Sequence, residues 1–222
     1  MVQPTPEHRV YHFTHVSHLA AIVRDGLLCD SEIHKTQKLN YEAGDHAIKD
    51  HRRNRNVPCG PSGVVADYVP FYFAPRSPML YRITNPHQLA NGGVATYDGS
   101  PHELIYLVSS VEHLHTAGLA VVLTDRNAAT GYAQFCDDPA QWFAPDFIDW
   151  PLMKAQIWKN TGEYPERMER RMAECLVHGV VPWPAILEIA VHDSSIATQV
   201  KTVLASAGKN TLTPELKPEW YF

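Results

Sequence analysis

Residues 166–176 read Glu166-Arg167-Met168-Glu169-Arg170-Arg171-Met172-Ala173-Glu174-Cys175-Leu176. On a helix, Arg167, Arg170 and Arg171 stand seven, four and three positions before Glu174 and share its face, while Met168, Met172, Cys175 and Leu176 point largely elsewhere. An apolar stripe then backs a polar face that carries one carboxylate among three guanidiniums. Arginine forks match phosphate oxygens two at a time, so such a face can hold a polyanion and present Glu174 to it. The competing reading is a solvated helix whose charges pair at i,i+4, an arrangement of small energy.

Three other stretches carry residue types suited to ligand chemistry. Lys49-Asp50-His51-Arg52-Arg53-Asn54-Arg55 sets four cations against one anion. If it shares a cleft with the arginine helix, it suits a pyrophosphate or a short nucleic acid; otherwise it is a solvated basic loop. Tyr11-His12-Phe13-Thr14-His15 offers backbone and hydroxyl groups beside aromatic faces, which suits a planar amide such as nicotinamide and equally suits a half-buried edge strand. Arg76-Ser77-Pro78-Met79-Leu80-Tyr81 combines a cation, a hydroxyl, a rigid turn and an aromatic, a grouping that fits stacking on a single-stranded base or a plain strand-to-strand turn.

Other chemistries are disfavoured. His12, His15 and His18 recur every third residue, but there is no H-E-x-x-H, and the run crosses a strand-to-helix junction that aims the rings apart, so no metal is expected. There is no G-x-G-x-x-G, Walker A loop or G-x-S-x-G elbow, which disfavours a dehydrogenase, a P-loop NTPase and an α/β-hydrolase.

The elements that must position these residues belong to one α+β domain spanning residues 1–222, with a mixed or antiparallel sheet core. Strands are expected at 10–15, 69–73, 104–108, 120–124, 186–191 and 216–221. Helices are expected at 17–25 with Ser17 as N-cap and Gly26 as stop, at 110–117, near 152–159, and at the arginine segment, with a short one at 42–51. Residues 30–63 are polar with little periodicity, and residues 137–165 form a second irregular excursion. The 222 residues are 45% hydrophobic, as in ordinary globular proteins. No apolar run suits a membrane span and no secretory leader is evident, so a cytoplasmic protein without a membrane partner is expected. Four cysteines without C-x-x-C spacing point to reduced thiols. The net charge of −5 argues against coating duplex DNA through a general positive field.

Tyr11-His12-Phe13-Thr14-His15, Asp50-His51-Arg52-Arg53-Asn54-Arg55, Asp67-Tyr68-Val69-Pro70-Phe71-Tyr72-Phe73, Arg76-Ser77-Pro78-Met79-Leu80-Tyr81, Thr124-Asp125-Arg126 and Ala173-Glu174-Cys175-Leu176-Val177 together resemble the DarT family. These are the DNA ADP-ribosyltransferase toxins of DarT–DarG type toxin–antitoxin systems. The blocks occur in family order and span nearly the whole chain. The resemblance implies the ADP-ribosyltransferase fold, a split mixed β-sheet core with flanking helices and long substrate-binding loops. It also implies NAD+ as a consumed substrate, transfer of ADP-ribose to thymine or guanine of single-stranded DNA with release of nicotinamide, and a cognate antitoxin that removes the modification or binds the toxin.

Residue by residue, the resemblance puts the catalytic glutamate on Glu174, the active-site arginine on Arg53, and NAD contacts on His12, Phe13 and Thr14. Ala21 and Cys29 stand where the family pattern has an NAD-contacting glycine and leucine. The polar stretch before Arg53 would be the NAD-binding loop element, and residues 127–174 the substrate-recognition loop. Arg76, Ser77, Pro78, Met79, Leu80 and Tyr81, with Arg167, Arg170 and Arg171, would line the DNA path. The alternatives are a related transferase acting on RNA or protein, and a non-catalytic module that binds single strands.

Overall fold

A computed structural model describes residues 8–36, 51–84 and 99–222. The chain opens with β1 (Arg9–His15), α1 (Leu19–Asp25), β2 (Leu27–Leu28) and α2 (Asp30–Thr36). It continues through a helical stretch at 51–54 to β3 (Tyr68–Tyr72) and α3 (Pro78–Thr84). Next come β4 (Leu104–Ser110), α4 (Val111–Thr116), β5 (Val121–Thr124), β6 (Phe135–Cys136), α5 (Trp150–Lys154) and α6 (Arg167–Arg170). The chain ends with β7 (Glu174–His178), β8 (Val180–Val181), β9 (Glu188–Val191), α7 (Ser194–Ser206) and β10 (Glu215–Leu216).

Eight strands form a mixed sheet in the order β10-β9-β4-β1-β3-β7-β5-β6, with β9 and β10 parallel and the other pairs antiparallel. β2 and β8 form a separate two-stranded ribbon. Side chains alternate across the pleat, and both faces are covered. Along β4, Ile105 and Leu107 enter the main core, while Leu104, Tyr106 and Val108 pack with Leu80, Ala190 and Tyr221 on the other side. β1 pairs with β4 over its whole length but meets β3 at one position, Tyr11 with Tyr72. The β1–β3 ladder therefore stops after this pair, and from His12 to His15 β1 keeps its ladder only with β4.

Several sequence expectations are corrected. Residues 166–176 are not one helix: α6 is a single turn, and Glu174 opens β7. Glu174, Cys175, Leu176 and Val177 are all buried because β7 lies between β3 and β5; an inner strand hides both faces, whereas a surface helix hides one stripe. α1 is preceded by a 3-10 turn, Val16–His18, capped by the His15 imidazole rather than by Ser17. Gly26 does end α1, at φ +86°, where a Cβ would lie 2.7 Å from Val180 Cγ1. The helix expected near 152–159 is α5, begun earlier by Asp149 capping the Leu152 N–H. The terminal strand shrinks to β10, because Pro218 starts a 3-10 turn two residues later.

Helices also appear where none was expected. Ser77 accepts the Leu80 N–H, with Pro78 at the first helical position, so the turn reading of 76–81 gives way to α3. α7 is capped by Asp193 and buries Ile196, Ala197, Val200 and Leu204. α2 lies inside the polar span. The short helix expected at 42–51 falls, apart from His51, outside the described residues, as do Lys49 and Asp50 of the basic cluster.

Candidate active site

The register of β3 with β7 sets Tyr72 opposite Glu174, and Tyr72 is also the β3 partner of Tyr11. Three strands thus place Tyr11, Tyr72 and Glu174 in one row at the point where the β1–β3 ladder stops. Glu174 is 1% exposed. Its carboxylate accepts Arg52 Nη1–H and Nη2–H, both at 2.9 Å, and the Ala128 N–H at 3.3 Å. The Glu174 N–H donates to Thr124 Oγ1 at 3.0 Å, and that hydroxyl donates to the Arg126 carbonyl at 2.7 Å. Burial alone would lower the Arg52 pKa, but the facing carboxylate more than offsets it, and the net shift is upward. The Tyr72 phenol is pushed up by burial and, secondarily, by the Glu174 charge.

Arg53, the active-site arginine that the resemblance implies, bonds on a different side from Arg52. Its Nε donates to Asp30 Oδ2 at 3.0 Å and its Nη2 meets the His34 ring, so the guanidinium lies against α2. Residues 51–54 are helical, and neighbours on a helix point about 100° apart, so Arg52 and Arg53 leave the turn in different directions and meet different partners. Sequence reasoning missed Arg52 because two adjacent arginines look alike without knowledge of the helix's rotation. Tyr72 was also missed, although its alternation in Tyr68 to Tyr72 was available.

Beyond Tyr11 on β1, His12 Nδ1 donates to the Pro70 carbonyl at 2.8 Å, which leaves Nε2 as an acceptor. Burial lowers its pKa to about 4 despite that carbonyl, with the nearby His18 adding slightly, so the ring is neutral at pH 7. Phe13 lies nearly parallel to the Tyr72 ring, with centroids 6.3 Å apart. Thr14 Oγ1 contacts His18 Nδ1 at 2.9 Å, and His15 Nδ1 contacts Ser17 Oγ at 2.7 Å. The three N-terminal histidines therefore have separate local partners. Ala21 is half-buried on α1, whereas Cys29 is buried, and burial raises its thiol pKa.

The expected DNA-contact residues separate into two groups. Ser77, Pro78 and Leu80 are buried, so their side chains shape α3 instead of facing a ligand. Arg171 is likewise corrected: at 4% exposure it donates to the carbonyls of Arg76, Leu152 and Ala155, which turns its fork inward. Its pKa falls to about 10 through burial and then the Arg76 charge. Arg76 stands over the Phe222 ring at 4.4 Å, and Tyr81 packs edge-on against Trp158 and Phe222. Met79, Arg76 and Tyr81 remain half-exposed. Arg167 donates to the Ile157 carbonyl at 2.9 Å and Arg170 lies 3.9 Å from Asp149; both are half-exposed.

Among the described residues, one metal-type cluster occurs, formed by His102, His192 and Asp193, whose ligand atoms lie within 4.8 Å of one another. Its imidazoles stack face to face at 3.6 Å, and Asp193 Oδ1 is committed to capping α7. β9 stands four places from β7 in the sheet, so this cluster is apart from Glu174.

Solved structures share this architecture over the whole chain. Thermus sp. 2.9 DarT in complex with ADP-ribosylated ssDNA matches with a TM-score of 0.86 at 32% identity, covering 100% of both chains. The same protein in complex with NAD+ matches at 0.83 and 31%, again over 100% of both. The fold is the ADP-ribosyltransferase fold. Residues 11–222 match the family model described as ssDNA thymidine ADP-ribosyltransferase, DarT. The DNA ADP-ribosyl transferase of Thermus sp. (strain 2.9) is 35% identical, over 99% of this chain and 97% of its own length. The chain belongs to the DarT family. A further relative, from Thermosipho africanus, is a DNA ADP-ribosyl transferase-DNA ADP-ribosyl glycohydrolase fusion protein, 25% identical over 88% of this chain and 45% of its own length. None of the described helices is long and apolar enough to cross a membrane.

Proposed function

We propose that residues 1–222 act as one domain that transfers ADP-ribose from NAD+ to a base of single-stranded DNA and releases nicotinamide. The observation that carries this reading is the buried Glu174 carboxylate, fixed by Arg52, Ala128 and β7 where the β1–β3 ladder stops. Cleavage breaks the bond between ribose C1′ and nicotinamide, whose ring nitrogen keeps the electron pair. The sugar gains oxocarbenium character, which a fixed carboxylate stabilises. A ring nitrogen of the base then bonds to C1′ and passes its proton to the Glu174 carboxylate, which releases it to solvent.

Glu174 is the stabilising group and accepts the ribose hydroxyl. His12, Phe13 and Thr14, on β1, receive the nicotinamide side of NAD+, and Ala21 and Cys29 add further contacts to it. Arg53 takes the pyrophosphate or the target base, exchanging its Asp30 contact for the ligand. A guanidinium holds its proton too tightly to serve as a base, which favours that electrostatic role. Arg76, Met79, Tyr81, Arg167 and Arg170 border the DNA path. Thymine is the acceptor favoured by the family description, and single strands are required because a duplex shields base ring nitrogens.

The Thermosipho fusion supports a partner that reverses the modification, as expected of a toxin held in check by an antitoxin. NAD+ and DNA are both cytoplasmic, which supports that location. The test is transfer of labelled ADP-ribose from NAD+ to four short single-stranded DNAs, each with one candidate base. Label on the thymine strand is expected, and its absence from every strand would refute the DNA reading.

A further inference from the structure

The segment 127–173 follows β5, adds the short edge strand β6 and rejoins the sheet interior at Glu174, and one side chain ties its two ends together. Arg126 Nε donates to Asp125 Oδ2 at 2.8 Å, and Arg126 Nη1 donates to Glu166 Oε2 at 2.9 Å. The Arg126 side chain is 10% exposed, against 51% for Glu166. Asp125 spends its other oxygen on the Gln134 N–H at 2.9 Å. The Asn127 N–H donates to the Glu169 carbonyl at 3.1 Å, and the Tyr132 hydroxyl donates to the Glu169 carboxylate while its ring lies 4.9 Å from the Arg126 guanidinium. The turn that begins the segment is thereby laced to α6, where it ends.

Two residues beyond Arg126 stands Ala128, whose N–H meets the Glu174 carboxylate at 3.3 Å. Two residues before it stands Thr124, which holds the Glu174 N–H and whose hydroxyl bonds to the Arg126 carbonyl. Both groups that grip Glu174 from this side are thus set by the conformation at Arg126. Arg171 anchors the other end of α6 through its three carbonyls, so Glu174 emerges from a helix turn fixed at both ends.

We infer that Arg126, acting with Glu166, is a positioning residue for the transfer reaction: it aims the Ala128 N–H at Glu174 and so sets the angle at which the carboxylate faces the ribose. The inference rests on the role proposed above for Glu174. Charge-assisted hydrogen bonds keep their geometry better than neutral ones, and angular errors at a reacting group lower the turnover step more than ground-state binding.

The test uses Glu166→Gln, at a half-exposed position where the fold tolerates the change, together with Arg126→Lys and Glu174→Ala. Each full-length variant is assayed for kcat and KM with NAD+ and single-stranded DNA, and for amide exchange at Ala128. For Glu166→Gln the expected result is a kcat about tenfold lower, a KM for NAD+ within about twofold of wild type, and faster Ala128 exchange at unchanged melting temperature. Arg126→Lys should retain part of the turnover, since it keeps the charge but loses the fork. A wild-type kcat in Glu166→Gln, a loss carried equally by KM, or unchanged Ala128 exchange overturns the inference. If Glu174→Ala still transfers, the role of Glu174 itself has failed, and the exchange measurement alone then decides whether Arg126 positions the segment.

Discussion

Arg52 lies 122 positions before Glu174 in the chain, yet it grips that carboxylate with two hydrogen bonds of 2.9 Å. The side chains of the pair are 14% and 1% exposed, so neither charge is well hydrated. Removing one partner leaves the other buried and uncompensated, which is far more damaging than losing an exposed pair.

The two adjacent arginines should therefore fail differently. Arg52→Ala is expected to lower unfolding free energy by about 3 kcal/mol, whereas Arg53→Ala, whose side chain is 35% exposed in its pair with Asp30, should cost about 1 kcal/mol or less. Urea unfolding checks both values. Arg53→Ala should nonetheless lose transfer while remaining folded; a folded, fully active Arg53→Ala protein would remove Arg53 from the reaction.

Glu174→Gln keeps the volume and the Ala128 contact but removes the charge that stabilises an oxocarbenium ion. Transfer should fall by about a hundredfold or more. KM for NAD+ should change much less than kcat, because the positive charge sits on the nicotinamide ring before cleavage and moves onto the sugar beside Glu174 only in the transition state. Steady-state assays with labelled NAD+ measure both quantities, and a loss confined to KM would make Glu174 a binding group.

His12 supplies a pH signature. Its folded pKa of about 4 lies below the ordinary 6.5, so between those values the unfolded chain binds a proton that the folded one refuses. Stability is thus intact above pH 6.5 and declines as pH falls toward 4, by about 3 kcal/mol from this group. In denaturant titrations at several pH values, His12→Phe should flatten this part of the profile. An unchanged slope would show that His12 protonates without penalty.

How much of this was legible in the sequence depends on what each residue answers to. β4 and β5 were readable because runs such as Leu104 to Val108 and Val121 to Thr124 have the composition of buried strands. Glu174 could be singled out, but its element could not, because Arg-Arg-Met-Ala-Glu has good helix propensity and the strand is imposed by β3 and β5 on either side. α7 has a clear cap in Asp193 and apolar spacing at Ile196, Ala197, Val200 and Leu204, so this helix is legible in its local sequence. The choice of Arg52 over Arg53 at the carboxylate, and the carbonyls that claim Arg171, depend on contacts across the fold that no local pattern encodes.

Arg171 and Arg76 offer the sharpest separation of structural from ligand-facing arginines. Arg171→Lys cannot span the three carbonyls that the guanidinium reaches, and should lower stability by about 2 kcal/mol. It should leave the salt dependence of single-stranded DNA binding unchanged, because a buried cation releases no counterion from a phosphate. Arg76→Gln should do the opposite. Its guanidinium is half-exposed over Phe222, and if it neutralises one phosphate its loss lowers the slope of log K against log salt by about 0.7. Fluorescence anisotropy of a labelled oligonucleotide across a salt series measures these slopes. Equal slopes for wild type and Arg76→Gln would take Arg76 off the DNA path, and a reduced slope in Arg171→Lys would return Arg171 to it.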